Sequence, residues 1–277
     1  MRILLPAAAA ALLIGTSALA APVNNPAWQS TIKYSRTASG ASGFGNLARA
    51  TSTVVYDPAT DTYTVRDTGS VTTKSSFAPA NIDAGASNAT FTVYKKVSGS
   101  TTETFRRLNQ SPTNPLIVLS YVDYGQWRRA TTSGSTTSVN DTYLVWGQRT
   151  PAASVPTTGS ASYSTVLDGT FINKNGAYAV SGTGTFGADF ASGTISYSSA
   201  ATGTPEAGGA AINFGTMTGS GSISFRSAGF SGTGTTNGNG YAMDVNGNFY
   251  GPAADEIGGV FRIRGGGGNG TGVIVGN

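Results

Sequence analysis

Two short runs hold the residues best suited to chemistry. Tyr121, Tyr124, Trp127, Arg128 and Arg129 form the first, and Tyr143, Trp146 and Arg149 the second. Each run sets a Tyr three residues ahead of a Trp and ends in arginine. Aromatic rings offer flat apolar contact, and guanidinium groups make charge-assisted bonds to carboxylate or phosphate. Together they suit a planar anionic ligand. The plainer reading has Trp127 and Trp146 filling a core or packing against a second domain, with Arg128 and Arg129 reaching past them to water.

The 277 residues include no His and no Cys. That excludes Ser-His and Cys-His nucleophile pairs, zinc held by imidazole or thiolate, and any disulfide framework. An enzyme would have to work with 13 carboxylates, Lys, Tyr and hydroxyls. Asp57, Asp61, Asp67 and Asp168 stand alone and read as turn formers. Asp189 with Asp244 or Glu256 is the remaining acid pairing, and a hydrolase would need its two carboxyls about 5–10 Å apart in a cleft. Binding without turnover is the better expectation. The twin basics Lys95-Lys96 and Arg106-Arg107 add a candidate positive hairpin face, or simply a solvated one. The positive charges are too sparse for a nucleic-acid footprint.

The elements that must position these residues are strands. No long apolar period of 3.6 occurs, whereas short alternating segments rich in Val, Ile, Thr, Tyr and Phe recur between turn signals. Residues 53–57 and 61–67 read as a hairpin, with Tyr63 and Val65 on one face and Thr62, Thr64 and Arg66 on the other. Segments 89–97 and 101–108 form a second pair, and 140–148 pairs with the stretch running through Arg128. The most apolar segment, 116–124, reads as a strand buried on both faces, and 131–138 as a mobile polar loop. The Pro/Thr/Gly stretch 150–159 marks a domain boundary.

Beyond it come short Gly-punctuated strands at 160–166, 170–173, 177–186, 188–196, 210–217, 220–226, 240–250 and 259–264, with 271–275 closing. About eight strands with tight turns make a small closed barrel. Tyr178, Val180 and Phe186 share one face, with Ala179, Ser181, Thr183 and Thr185 on the other. Small residues mixed with aromatics suit a filled interior, and Ser, Thr and Arg suit water outside, so a soluble barrel is expected rather than a membrane one. The fold class is all-β, a handle domain over 21–150 followed by an eight-stranded antiparallel barrel over 151–277.

Residues 1–20 read as a secretory signal peptide: Met1-Arg2, an apolar run to Ile14, and Ala18-Leu19-Ala20 as the cleavage site. No Cys follows it for lipid attachment, and nothing later approaches the roughly 20 apolar residues of a membrane helix. Export from a Gram-negative cell is expected, to the surface, the medium or the periplasm. Residues 21–150 hold 12 Lys/Arg against 7 Asp/Glu, and 151–277 hold 4 against 6. The balances of +5 and −2 suggest two domains with different tasks.

The run Gly247, Phe249, Tyr250, Gly251, Pro252, Ala254, Glu256, Gly258, Gly259, Phe261 fits the pattern G-x-F-[FY]-G-P-x-A-x-E-x-G-G-x-F. It resembles the barrel signature of the transferrin-binding protein B-like family. Pro156, Gly159, Ala161 and Tyr163 resemble the run that opens that barrel, and Asp189-Phe190 with Thr194-Ile195 resembles one of its strands. On their own physics these residues are structural: Gly251-Pro252 turns the chain, Phe249 and Phe261 fill the barrel, and Glu256 pairs with a cation or a backbone donor.

The resemblance implies a handle that contacts the ligand and a barrel that supports it. It implies a secreted or surface binding protein, like the secreted haem-binding hemophilins or the lipoproteins that capture host iron proteins. Its partners would be a host or environmental iron or haem source and an outer-membrane receptor or translocator. The missing lipidation Cys favours the released, hemophilin-like form. Haem would need cations for its propionates and, without His, a Tyr phenolate from Tyr121, Tyr124 or Tyr143, or Met217 or Met243, as iron ligand. A cobalamin, a siderophore or a glycan fits the same residues. The alternative is a structural or adhesive surface protein with no small-molecule ligand.

Overall fold

The computed structural model describes residues 21–37, 40–68, 73–236 and 238–277. The export leader read at residues 1–20 lies outside the described residues. Strands β1 (Val23–Thr37), β2 (Gly40–Asp57), β3 (Thr62–Asp67), β4 (Thr73–Phe77), β5 (Phe91–Ser98), β6 (Thr101–Leu108), β7 (Val122–Ser133) and β8 (Thr136–Gly147) form one antiparallel sheet. Its order is β4-β3-β2-β1-β8-β7-β6-β5. Strands β9 (Ser160–Asn173), β10 (Gly176–Asp189), β11 (Thr194–Pro205), β12 (Ile212–Ser224), β13 (Gly229–Thr236), β14 (Ala242–Tyr250), β15 (Glu256–Gly265) and β16 (Gly268–Gly276) run up and down in sequence. They close into a barrel when β16 pairs back onto β9.

The handle sheet is itself nearly closed. Its two edge strands meet where Lys96 Nζ, on β5, donates to Ser75 Oγ at 2.5 Å and to the Ser76 carbonyl at 2.9 Å, both on β4. Inside lies an aromatic core of Tyr63, Phe77, Tyr94, Phe105, Trp127 and Trp146. The outer edge of β5 is covered by its own approach: Asp83 N–H donates to the Val93 carbonyl at 2.8 Å, and Val93 N–H to Ser87 Oγ at 3.0 Å. Covering an unpaired edge removes a template for aggregation.

The closed barrel is filled. Tyr178, Val180 and Phe186 are buried, while Ala179, Ser181, Thr183 and Thr185 on the same strand are exposed. An apolar interior with a hydroxylated exterior is the reverse of what a lipid-facing barrel presents. Many glycines here serve the aromatics rather than the turns. A Cβ on Gly169 or Gly272 would come within 2.8 Å of the Phe261 ring, and one on Gly247 within 2.4 Å of Phe230. Phe261 and Phe230 thus occupy hollows left by glycines on other strands of the barrel.

Several strand expectations need correction. The segment expected as two strands, 160–166 and 170–173, is the single β9, because Gly169 continues the ladder under Phe261. The stretch 188–196 straddles a turn in which Asp189 Oδ1 accepts the N–H groups of Ala191 and Ser192. Strand β13 escaped notice because its sequence GFSGTGTT carries a single large apolar residue, Phe230. The expected loop 131–138 is mostly strand, with β7 and β8 continuing to a tight turn at Gly134. The apolar stretch before Val122 is not a strand: Ile117 and Leu119 are buried, whereas Leu116 and Val118 are each 39% exposed.

Because Phe261 rests on glycines that cannot close a void, Phe261→Ala should destabilise the protein by about 3–5 kcal/mol. Urea unfolding of the variant against the native chain measures this loss.

Candidate functional site

The handle and the barrel meet along the outer faces of β9, β15 and β16. There Val166, Val260, Val273 and Val275 of the barrel pack with Val122, Tyr124, Tyr143 and Val145 of the handle. Strand alternation makes this possible. Along β8, Tyr143 and Val145 face the barrel while Leu144 and Trp146 face the handle interior.

Two devices lock the halves together. The first is Glu256, at the start of β15 and 4% exposed. Its Oε1 accepts the Ser120 N–H at 2.6 Å, and its Oε2 accepts the N–H groups of Tyr121 and Val122, each at 2.9 Å. Ser120 and Tyr121 end the irregular connection and Val122 opens β7, so the carboxylate supplies acceptors that a neighbouring strand otherwise would. Gly258 allows the approach: a Cβ there would lie 2.6 Å from Val122 and 2.7 Å from Val145. Next to it, Gly251 (φ 84°) turns the chain so that its N–H donates to the Gln148 carbonyl at 2.9 Å.

The second device is ionic. Arg106 Nη2 donates to both carboxylate oxygens of Asp168, at 2.7 and 2.8 Å. Arg128 forks onto Asp141 of the handle's own β8 through Nε and Nη2, both at 2.7 Å, and its Nη2 crosses to Glu206 of the barrel at 2.5 Å. Arg36 contacts the other oxygen of Glu206 at 3.3 Å, and Arg49 pairs with Asp244. The surplus positive charge of the handle thus faces carboxylates of the barrel. Beside these pairs lies a cleft of about 460 Å³ between handle and barrel, lined among others by Phe91, Arg106, Arg128, Tyr143, Asp168 and Glu206.

Residues 155–276 match the family model described as the C-lobe and N-lobe beta barrels of Tf-binding protein B. The match covers the C-terminal barrel, from just before β9 to the end of β16. Among solved structures the chain is similar to isotype 1 transferrin binding protein B from serogroup B Neisseria meningitidis, at 19% identity over 89% of this chain and 42% of that one, with a TM-score of 0.46. It is similar to intact Ap-TbpB, N and C lobes, at 13% identity over 92% of this chain and 77% of that one, TM-score 0.46. A double mutant of Transferrin Binding Protein B from Haemophilus parasuis Hp5 follows at 14% identity, 93% and 76% coverage and a TM-score of 0.45. The chain spans about two fifths of the Neisseria protein's length, 42%. No curated protein matches it.

In this transferrin-binding protein B-type barrel the signature run has two faces. Phe249 and Phe261 point into the core, while Tyr250, Glu256 and Gly258 form the junction with the handle. Ala254 holds φ 63° and its carbonyl accepts the Tyr163 hydroxyl at 2.5 Å, tying the signature to the strand that opens the barrel.

The eight residues singled out for ligand binding are divided among three places. Trp127 and Trp146 lie in the handle core, with the Arg129 guanidinium 4.8 Å over the Trp127 ring and 3.7 Å from Asp67. Tyr124 and Tyr143 lie in the junction: Tyr124 OH donates to Asp168 Oδ2 at 3.3 Å, and Tyr143 OH meets Thr170 Oγ1 at 2.8 Å. Tyr121 is half-buried beside Gly251, and Arg149 bridges to Tyr250. Only Arg128 and Tyr143 of the eight line the cleft.

Arg128 does not reach into water as the plainer reading had it; it is held by Asp141 and Glu206. The expected positive hairpin face also dissolves. Arg106 points to the barrel and Arg107 to Asp123 and the Tyr63 ring, because neighbours on a strand face opposite ways. Asp57 and Asp61 do sit in a turn, but Asp67 and Asp168 are strand residues in ion pairs. Asp168, Asp141 and Glu206 were missed as junction residues; for Asp168 and Glu206 the acidic balance of residues 151–277 was the available signal, and nothing local marked Asp141.

Burial, with the Asp168 carboxylate beside it, pushes the Tyr124 hydroxyl well above its ordinary value, and burial beside Asp141 and Asp168 does the same for Tyr143. Both hydroxyls are held neutral. The unfolded chain releases these protons first, so their contribution to stability is complete below about pH 10 and lost as pH rises above it. Thermal unfolding followed from pH 8 to 12 should show that fall, reduced in the double variant Tyr124→Phe/Tyr143→Phe.

Glu256→Ala removes the acceptor of the buried Val122 N–H and of the part-buried N–H groups of Ser120 and Tyr121, and should cost at least the about 1–3 kcal/mol of one buried orphaned donor. Glu256→Gln, which keeps one acceptor oxygen, should cost less. Differential scanning calorimetry of the two variants tests the order.

Proposed function

We propose that this protein is an exported, non-catalytic binding protein that captures an iron source, haem or another solute, and delivers it to an outer-membrane receptor. The observation that carries the reading is the transferrin-binding protein B-type barrel locked to a second eight-stranded body, with a cleft at their junction. A rigid pair of β bodies with a cleft between them presents a fixed recognition surface, and preorganisation lowers the entropy lost on binding. The leader read in residues 1–20 supports export.

Iron ligation by tyrosine falls to Tyr121 on this reading. Tyr124 and Tyr143 are buried beside carboxylates that oppose a phenolate, whereas solvent reaches the Tyr121 ring. The connection that carries Tyr121 also carries the exposed Leu116, at the rim of the cleft, and Val118.

A specific observation favours the second reading, a structural or adhesive surface protein. The cleft arginines Arg106 and Arg128 are already engaged by Asp168, Asp141 and Glu206, so an anionic ligand would have to compete for them.

Titration of the purified protein with haem, followed by visible absorption, separates these. A saturable Soret shift that Tyr121→Phe removes, and Tyr124→Phe and Tyr143→Phe leave, is the expected result. A flat titration overturns haem as ligand and turns the search to protein partners.

A further inference from the structure

A second place on the surface carries more positive charge than its acids balance. Arg49 of β2, Arg262 and Arg264 of β15 converge on one carboxylate, Asp244 of β14. Arg262 Nε donates to both oxygens of Asp244 at 3.1 Å, Arg264 Nη1 stands 3.6 Å from Oδ2, and Arg49 Nη2 completes the set. Among the described residues no other carboxylate pairs with these three, which leaves the cluster at +2.

The cluster sits in a groove of about 660 Å³ on the outer wall of the barrel. The strand register lays out the groove's floor. Ser220, Thr233, Asp244 and Arg262 stand in one row across β12 to β15, and Ser222, Ser231 and Asn246 in the next. Residues 207–243 contain no acidic side chain, so nothing on β12 or β13 opposes an anion. Arg49 reaches in from the handle and, like Asp244, is mostly buried, at 15% and 17% side-chain exposure, whereas Arg264 is 53% exposed.

We propose that this groove binds an oxyanion, a carboxylate, sulfate or phosphate group, on the guanidinium groups of Arg262 and Arg264 with the Ser and Thr hydroxyls of β12 and β13 alongside. A guanidinium fork matches the geometry of an oxyanion, and hydroxyls complete its hydrogen bonds. Burial, reinforced by Arg262 and Arg264, draws the Arg49 guanidinium below its ordinary value against the pull of Asp244. A bound anion relieves that mutual repulsion. The oxyanion is either free or carried on a sugar polymer, and the groove's shared chemistry serves both.

Calorimetric titration of the purified protein with inorganic sulfate, inorganic phosphate and heparin tests this. Saturable binding that weakens about tenfold in Arg264→Gln, as loss of one charge-assisted contact predicts, supports the site. Tight, Arg264-dependent heparin binding assigns the oxyanion to a polymer, whereas sulfate or phosphate binding with no gain for heparin assigns it to the free ion. Arg264 is exposed and makes only a long contact, so its variant should unfold at the native temperature. The double variant Arg262→Gln/Arg264→Gln should abolish binding. No saturable signal from any of the three probes, or unchanged binding in Arg264→Gln, overturns the proposal.

Discussion

The carboxylate of Glu256 sets the relation between the two halves of this protein. Three consecutive backbone N–H groups of the handle converge on its two oxygens, and a buried carboxylate is tolerated only when its lone pairs are so occupied. The consequence spreads along the chain. Because Glu256 takes the N–H groups of residues 120–122, the apolar stretch ahead of them needs no partner strand, and it crosses the junction as an irregular segment. Gly258 and Gly251 on either side bring backbone close enough for the contact. A barrel signature thereby becomes a docking device: Phe249 and Phe261 fill the barrel, and Glu256, Tyr250, Gly251 and Gly258 meet the handle.

The ionic pairs extend that arrangement. Handle arginines meet barrel carboxylates at Asp168, Glu206 and Asp244. Ion pairs at partial exposure contribute little stability each, but opposite charges at fixed register determine orientation. The uneven charge of the two halves is thus complementary where they meet. Where the complement is full, as at Arg106 and Arg128, the cleft offers an anion no unopposed cation. Where it is not full, at Arg49, Arg262 and Arg264, positive charge remains for an outside partner.

The interiors solve one packing problem twice. In the handle, six aromatic rings from facing strands fill a sheet that stops short of closure, and its seam is tied by Lys96. In the barrel, complete closure leaves no edge, and rings seat over glycines on adjacent strands. With interiors filled in this way, the junction and the outer walls are the surfaces left for recognition.

Much of this could be read along the chain. Alternation in 62–67 put Tyr63 and Val65 on one face and Arg66 on the other, and the structure buries the first pair and exposes the arginine, because side-chain direction on a strand depends only on parity. The barrel followed from its turns and its signature. Parity does not say what lies beyond a face, and that is where tertiary structure decided. Tyr143 and Trp146 looked like one aromatic surface in sequence, yet three residues' separation on a strand sends one to the junction and the other to the handle core. β13 was hidden because Gly, Ser and Thr show no apolar period, and only closure of the barrel required a strand there. Arg49 and Asp244 are 195 positions apart, so their charge balance existed only after the handle had docked on the barrel. The sequence by itself determined which residues share a face, because that is local geometry; which faces meet, and which charges are left unmatched when they do, was decided by long-range packing.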